Sequence, residues 1–399
     1  MSTATEAFGI YEFGLNEEQE LRAAALHAEA IVIDMLFQGP CAYVSYGDRW
    51  HATIDRRRAE HGLGREIPAG GLASIRHWVA AAQELPIRAA VEEGDEEFRA
   101  CWEASGVVGG NRQLGGNLLD LRYLALAQLQ FDSFPWLVKG LRADDFRQAK
   151  EQGQRVGFIS SQDSEGLDSA MFDMQVLHDA GLRVLGLTYN LQNVVGGGCT
   201  ERTDTGLSNI GARLVARANE LGIICDTAHS SRQTTLDTCE LSEQPVIASH
   251  TTAYEVYPHE RAKSDEQLHS IAGTVGVIGI NAVPFFLGKG DGVGEGVTIE
   301  RVLDHIDYVA NLVGWQHVGI GTDWPLQLDK ETLIAYESRW ADIGFRPEHN
   351  VNAADLVGFR DYRDFPNFTR GLVARGYSDE QTKGILGENF LRVFEAVCG

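Results

Sequence analysis

Apolar residues in this chain fall into two alternating patterns: short β-branched runs, and longer stretches with helical spacing. Ile31-Val32-Ile33 is the first short run, leading through Asp34 and Met35 into the loop Leu36-Phe37-Gln38-Gly39-Pro40. Similar runs recur at 156–160, 184–188, 223–225, 246–248, 275–280 and 318–323. Short apolar runs bounded by turn residues predict buried strands. Helices are predicted between them. Asn16 with Gln19, Ser264 with Gln267 and Ser378 with Gln381 have the spacing of capping boxes. Gly181 and Gly314 sit where the helices ending at 180 and 313 would stop. Residues 210–221 and 385–397 also keep helical spacing.

From 155 to 323 strand and helix alternate in units of about 25 to 45 residues, which predicts a (β/α)8 TIM-type barrel rather than an open doubly wound sheet. No G-x-G-x-x-G follows the first strand, so dinucleotide binding has no support. Residues 45–150 are less regular. The charged stretch 48–66 reads as surface helix or loop, and 70–82, with His77 and Trp78, reads as a weak second strand. Leu114, Leu118, Leu121 and Leu124 have helical spacing. No low-complexity linker interrupts this region. The whole chain, 1–399, is therefore read as one barrel domain with insertions at about 45–150.

In such a barrel the residues just beyond each strand share one rim, where the chemistry sits. His229 and His250 each follow an apolar run, with one helix-length segment between them, so a βαβ unit would bring them face to face. The same rim would carry Leu36, Gln38, Gln162, Asp163, Tyr189, Asn190, Asn281 and Asp323. Two imidazoles and a carboxylate suit zinc or a similar divalent ion; alternatively, Asp323 is the general base. Gln162, Asn190 and Asn281 are expected to contact substrate. The triple glycine 196–198 has no Lys-Ser/Thr after it, so it predicts a flexible lid or tight turn rather than a phosphate loop.

Composition narrows the picture. A formal net charge of −23 argues against nucleic acid or an anionic membrane as partner. The six cysteines are scattered with no C-x-x-C pair, which fits a reducing cytoplasm rather than a disulfide framework. The first twenty residues lack the basic and apolar regions of a signal peptide, and no apolar run is long enough to span a membrane.

Four stretches then carry a resemblance. They are GLSNIGARLVARANELGIICDTAHSS, PVIASHTTAYEVYPHERAKSDEQLHSIAGTVGVIGIN, HIDYVANLVGWQHVGIGTDWP and ILGENFLRVFEAV. Together they resemble the membrane (renal) dipeptidase family, peptidase family M19 of the amidohydrolase-like barrels. The resemblance implies that His229 and His250 bind one of the family's two metal ions. It implies that Asp323 orients the bridging water and accepts its proton, and that Arg261 pairs with the substrate's terminal carboxylate. It also implies a homodimer. The departures are specific. Leu36 and Gln38 stand where the family's first strand has a His-x-Asp pair, Gln162 where it has a bridging glutamate, and Tyr189 where a histidine polarises the scissile carbonyl. The expectation is therefore a divergent dipeptidase-like metallohydrolase acting on an amide or related C–N bond of a small carboxylate-bearing molecule. It would use one divalent metal, zinc by first choice, with Tyr189 as electrophilic donor. A metal-independent lyase, isomerase or decarboxylase is the alternative, and a non-catalytic small-molecule binder a third.

Overall fold

Buried β-branched runs with helices between them can satisfy both faces of a sheet only if the sheet is covered or closed on itself. Here it closes. The computed structural model describes residues 8–40, 42–64, 72–114, 121–167, 172–288, 297–345 and 356–399. Its strands are β1 (Ile33–Asp34), β2 (Gly109–Leu114), β3 (Leu137–Lys139), β4 (Arg155–Ser161) and β5 (Leu182–Gly186). They continue with β6 (Ile224–Asp226), β7 (Ile247–Ala253), β8 (Ala262–Lys263), β9 (Val277–Ile280) and β10 (Val318–Ile320). The order β1-β2-β4-β5-β6-β7-β9-β10 is parallel throughout, with β3 added to β4 and β8 to β7.

The first and last strands meet. The Met35 amide donates to the Ile320 carbonyl at 2.9 Å, and the Asp323 amide donates to the Leu36 carbonyl at 2.9 Å. The Asp34 carboxylate accepts the Thr322 amide at 2.8 Å and the Thr322 hydroxyl at 2.5 Å. The protein is a (β/α)8 barrel. Its outer helices follow the expected stop and start signals. Helix Asn209–Leu221 opens on Ser208, whose hydroxyl accepts the Gly211 amide, and buries Leu214, Val215 and Ala218. The C-terminal helix Asn389–Cys398 sets Phe390 and Phe394 against Phe158 of β4.

Two local expectations fail. The second strand is not at 70–82, where helix Leu72–Glu93 runs instead, with Trp78 buried and its indole N–H donating to the Gly64 carbonyl. Alanine, glutamate and glutamine in that stretch favour helix over the weak aromatic strand signal. The true β2 reads Gly-Gly-Asn-Arg-Gln-Leu and has no apolar run. Leu114 ends it, Leu121 and Leu124 belong to helix Leu121–Ser133, and Leu118 lies outside the described residues.

One glycine decides how close the barrel can close. A Cβ on Gly321 would lie 1.8 Å from the Ser249 carbonyl oxygen. Only a residue without one lets the chain leaving β10 pass against β7 beside His250.

Candidate active site

β6 ends before His229 as the sequence implies, whereas β7 continues through His250 to Ala253 with a register shift between Ala248 and Thr251; the two strands bring the histidines together with Nε2 atoms 2.9 Å apart. Both rings are buried. Their orientation is fixed from behind. The Asn190 amide nitrogen donates to the Ile343 carbonyl at 3.0 Å, so its Oδ1 is left to accept from His229 Nδ1 at 2.7 Å. Asp226 accepts the Ser249 hydroxyl, whose oxygen then accepts from His250 Nδ1 at 2.7 Å. Each Nδ1 therefore carries a hydrogen, which leaves Nε2 as the atom of each ring that can coordinate. Burial, reinforced by the charges of Arg261 and Lys263, holds His250 well below the usual histidine range, so the ring is neutral.

Gln162, at the end of β4, brings its Oε1 to 2.6 Å from His229 Nε2. Two ring lone pairs and an amide oxygen thus converge. Two imidazole nitrogens sharing one ion at bond lengths of about 2.1 Å lie about 3.0 Å apart at a right angle and about 3.4 Å at the tetrahedral angle, so with a slight opening of the pair this donor set fits a single cation. It does not fit the family's metal pair. Among the described residues no three His, Cys, Asp or Glu side chains converge as metal ligands. Asp323 therefore does not complete a ligand set with the two histidines. Its Oδ1 accepts from the Gln38 amide. Leu36 is buried. Nor does Asp163 join such a cluster; its Oδ1 accepts from Asn193 at 2.8 Å.

The other predicted residues separate into two groups. Gln162, Tyr189, His229, Arg261 and Asp323 line one cavity of about 220 Å³, together with Gln38, Asp163, Trp324 and Trp340. Asn190 and Asn281 are fully buried and do not line it; Asn190 positions His229, and the Asn281 amide nitrogen has no partner among the described residues. The Tyr189 ring stacks on His229 with centroids 4.1 Å apart. Arg261 donates through Nη1 to the Ala228 carbonyl and through Nη2 to the His250 carbonyl at 3.1 Å. Nη2 also stands 3.4 Å from His229 Nε2, and Nε has no partner among the described residues. Asp323 holds a φ of 52°, strained for a residue with a side chain, and is partly exposed. Burial pushes its carboxyl up to about 6, against the opposing effects of Gln38 and Arg261.

The triple glycine is neither lid nor phosphate cradle. Residues 196–198 are buried, with Gly198 bridged to Ser230, and the Cys199 amide donates to the His229 carbonyl at 2.8 Å. A Cβ on Gly198 would lie 2.2 Å from the carbonyls of Tyr189 and Asn190. The loop clamps the His229 backbone. Sequence reasoning missed this clamp, and it missed Asn111, Arg112 and Gln130 of the cavity wall. The insertions supply much of that wall, through helices Leu72–Glu93 and Leu121–Ser133.

The model of the membrane dipeptidase family (peptidase family M19) matches residues 133–330 and 340–398. The chain belongs to that family. A curated relative, dipeptidase tcpJ of Claviceps purpurea (strain 20.1), is 27% identical over 258 residues, which is 64% of this chain and 54% of that protein. The match thus spans about half of the relative's length. A crystal structure of an amidohydrolase from Pseudomonas aeruginosa superposes with a TM-score of 0.71 at 25% identity, covering 94% of this chain and 98% of that one. A metallo peptidase from Rhodobacter sphaeroides, liganded with a phosphinate mimic of the dipeptide L-Ala-D-Ala, shares the fold. Its TM-score is 0.60 at 19% identity, with 92% and 100% of the two chains covered. Within this M19 frame, no described helix is long and apolar enough to cross a membrane.

Proposed function

We propose that this M19 chain is a dipeptidase-like hydrolase that cleaves an amide or related C–N bond in a small carboxylate-bearing substrate. His229, His250 and Gln162 would hold one divalent ion, zinc the first candidate. The observation that carries this reading is the pair of Nε2 atoms 2.9 Å apart, each ring already donating through Nδ1. Among the described residues, the neighbour of His250 Nε2 within hydrogen-bonding distance is His229 Nε2. An ion held there would act as a Lewis acid on the scissile carbonyl.

The chain's own groups supply the rest. Asp323, with one oxygen occupied by Gln38 and its pKa pushed up to about 6, is suited to take a proton near neutral pH. Tyr189 lines the cavity and is placed to donate its hydroxyl to a developing oxyanion. Arg261 has donors left over from its backbone contacts, Nε among them, for a substrate carboxylate. The aromatic wall of Phe285, Phe286, Trp324 and Trp340 would exclude water from the reacting bond.

The test is cleavage of a panel of dipeptides by protein loaded with zinc or manganese, with and without chelator, beside His250→Ala. Protein that takes up no stoichiometric metal even when grown with either ion would sink the metal reading. A second reading rests on a specific observation. The buried Arg261 guanidinium stands 3.4 Å from His229 Nε2, and none of the three candidate ligands is a carboxylate. Half a turn of the Gln162 amide would let it donate to His229 and close the site without a cation. That version is a metal-independent lyase, isomerase or decarboxylase using Asp323. Activity that survives chelation and His250→Ala but collapses in Asp323→Asn would select it.

A further inference from the structure

The cavity contains a second buried guanidinium for which the metal reading has no use. Arg112 lies on β2, lines the same cavity as Arg261, and is only 6% exposed. Its stem is held in place: the guanidinium lies 4.9 Å from the Trp102 ring and 5.3 Å from that of Phe37. Nε donates to the Asn111 carbonyl at 2.8 Å and Nη1 to the Gln130 side-chain oxygen at 3.0 Å. Nη2 is buried and has no partner among the described residues.

Nor does any described carboxylate pair with Arg112. Asp34, which acts on it at a distance, is already committed to the Leu36 and Thr322 amides and the Thr322 hydroxyl. Of the cavity's own acids, Asp163 accepts from Asn193 and Asp323 from Gln38. Burial lowers Arg112 only to about 10, so it remains a cation at neutral pH. A buried cation with an idle donor is costly unless an anion comes to it. A carboxylate or similar oxyanion matches the guanidinium edge in shape and charge.

We propose that Arg112 is a second anion anchor in this cavity, so that the substrate carries two separated anionic groups, one for Arg261 and one for Arg112. This rests on the reading of the cavity as the substrate site. The substrate class becomes a small molecule with two separated carboxylates, such as an N-acyl or N-peptidyl dicarboxylic amino acid, rather than an apolar dipeptide with one.

The test needs no turnover. Full-length protein is titrated calorimetrically with succinate, glutarate and adipate, and with butyrate, valerate and hexanoate as monocarboxylates of matching length. The wild type should bind at least one dicarboxylate about tenfold or more tightly than its monocarboxylate partner. Arg112→Gln should erase that preference and leave monocarboxylate affinity unchanged, whereas Arg261→Gln should weaken both series. If Arg112→Gln does not fold, Arg112→Met keeps an apolar stem between Phe37 and Trp102 and is read the same way. A wild type without dicarboxylate preference overturns the inference, as does a preference that survives the loss of Arg112. A purely structural Arg112 would alter stability without altering the ratio between the series. Cleavage is not read here. A wild type that hydrolyses dipeptides but shows no dicarboxylate preference rejects the second anchor alone; a wild-type preference without any hydrolysis rejects the hydrolase alone.

Discussion

Asp226→Asn tests whether the histidine lone pairs are imposed by the groups behind them. Asp226 is a buried carboxylate whose Oδ1 accepts the amides of Ala228 at 3.0 Å and Ser249 at 2.8 Å, while Oδ2 accepts the Ser249 hydroxyl. The two amide donors keep the asparagine oxygen on the Oδ1 side, so its NH2 replaces Oδ2. That NH2 donates to Ser249 Oγ, the Ser249 hydrogen turns to His250 Nδ1, and the proton on His250 moves to Nε2. A hydrogen then stands where a lone pair was needed. Two effects on stability oppose each other. The second hydrogen of the new amide has no acceptor, costing about 1–3 kcal/mol. Against this, a carboxylate whose pKa burial has raised is no longer forced to ionise. The expected loss is therefore small, about 1–2 kcal/mol, while divalent-ion affinity falls about 10- to 100-fold. Long-range nitrogen–proton NMR of labelled histidines reads the tautomer directly. Wild-type His250 should be the Nδ1–H form and the variant the Nε2–H form. An Nε2–H form in the metal-free wild type would refute the reasoning, as would a folded variant with unchanged tautomer and metal affinity.

Asp323→Asn should lower turnover about 10²- to 10⁴-fold and remove the acidic limb of the pH–rate profile, which in the wild type should lie near 6. The stability linkage has the opposite slope: because folding raises this pKa, the contribution of Asp323 is fully present below about 4 and is lost as pH rises through about 6. Asp323→Asn should flatten that part of the stability curve in denaturant titrations. Gln162→Glu adds a charged ligand beside His229 and should tighten divalent-ion binding about tenfold or more by calorimetry; unchanged affinity would place the ion elsewhere. Gly321→Ala forces a methyl to 1.8 Å from the Ser249 carbonyl and should cost about 3 kcal/mol or more, read as a fall in Tm.

How much of this was legible depended on the sheet. From β4 onward the strands are buried on both faces, so their β-branched runs stand out, and the helix stops at Gly181 and Gly314 are where sequence placed them. β2 was invisible because its positions do other work. Gly109 and Gly110 make room for Phe146 and Phe37, and Asn111 and Arg112 turn polar groups toward the loop after β1 and the cavity. None of that produces an apolar pattern. The histidine pair was legible from the βαβ spacing alone. Its supports were less so: Asn190 reads as a rim residue until the Ile343 carbonyl, far away in sequence, fixes its orientation. Asp323 read as ligand or base from the residues alone and as base from the resemblance; among the described residues it joins no three-ligand cluster.

One cation on His229 and His250, with the uncharged Gln162 as third ligand, is what sets the proposed site apart. Anomalous diffraction from crystals of protein grown with zinc, with data on both sides of the zinc edge, tests it most directly. One peak per chain, bonded to His229 Nε2, His250 Nε2 and Gln162 Oε1, is the predicted result. Two peaks would contradict it by restoring the paired site, and no peak, with the ring nitrogens joined by a hydrogen bond, would contradict it in favour of metal-free chemistry.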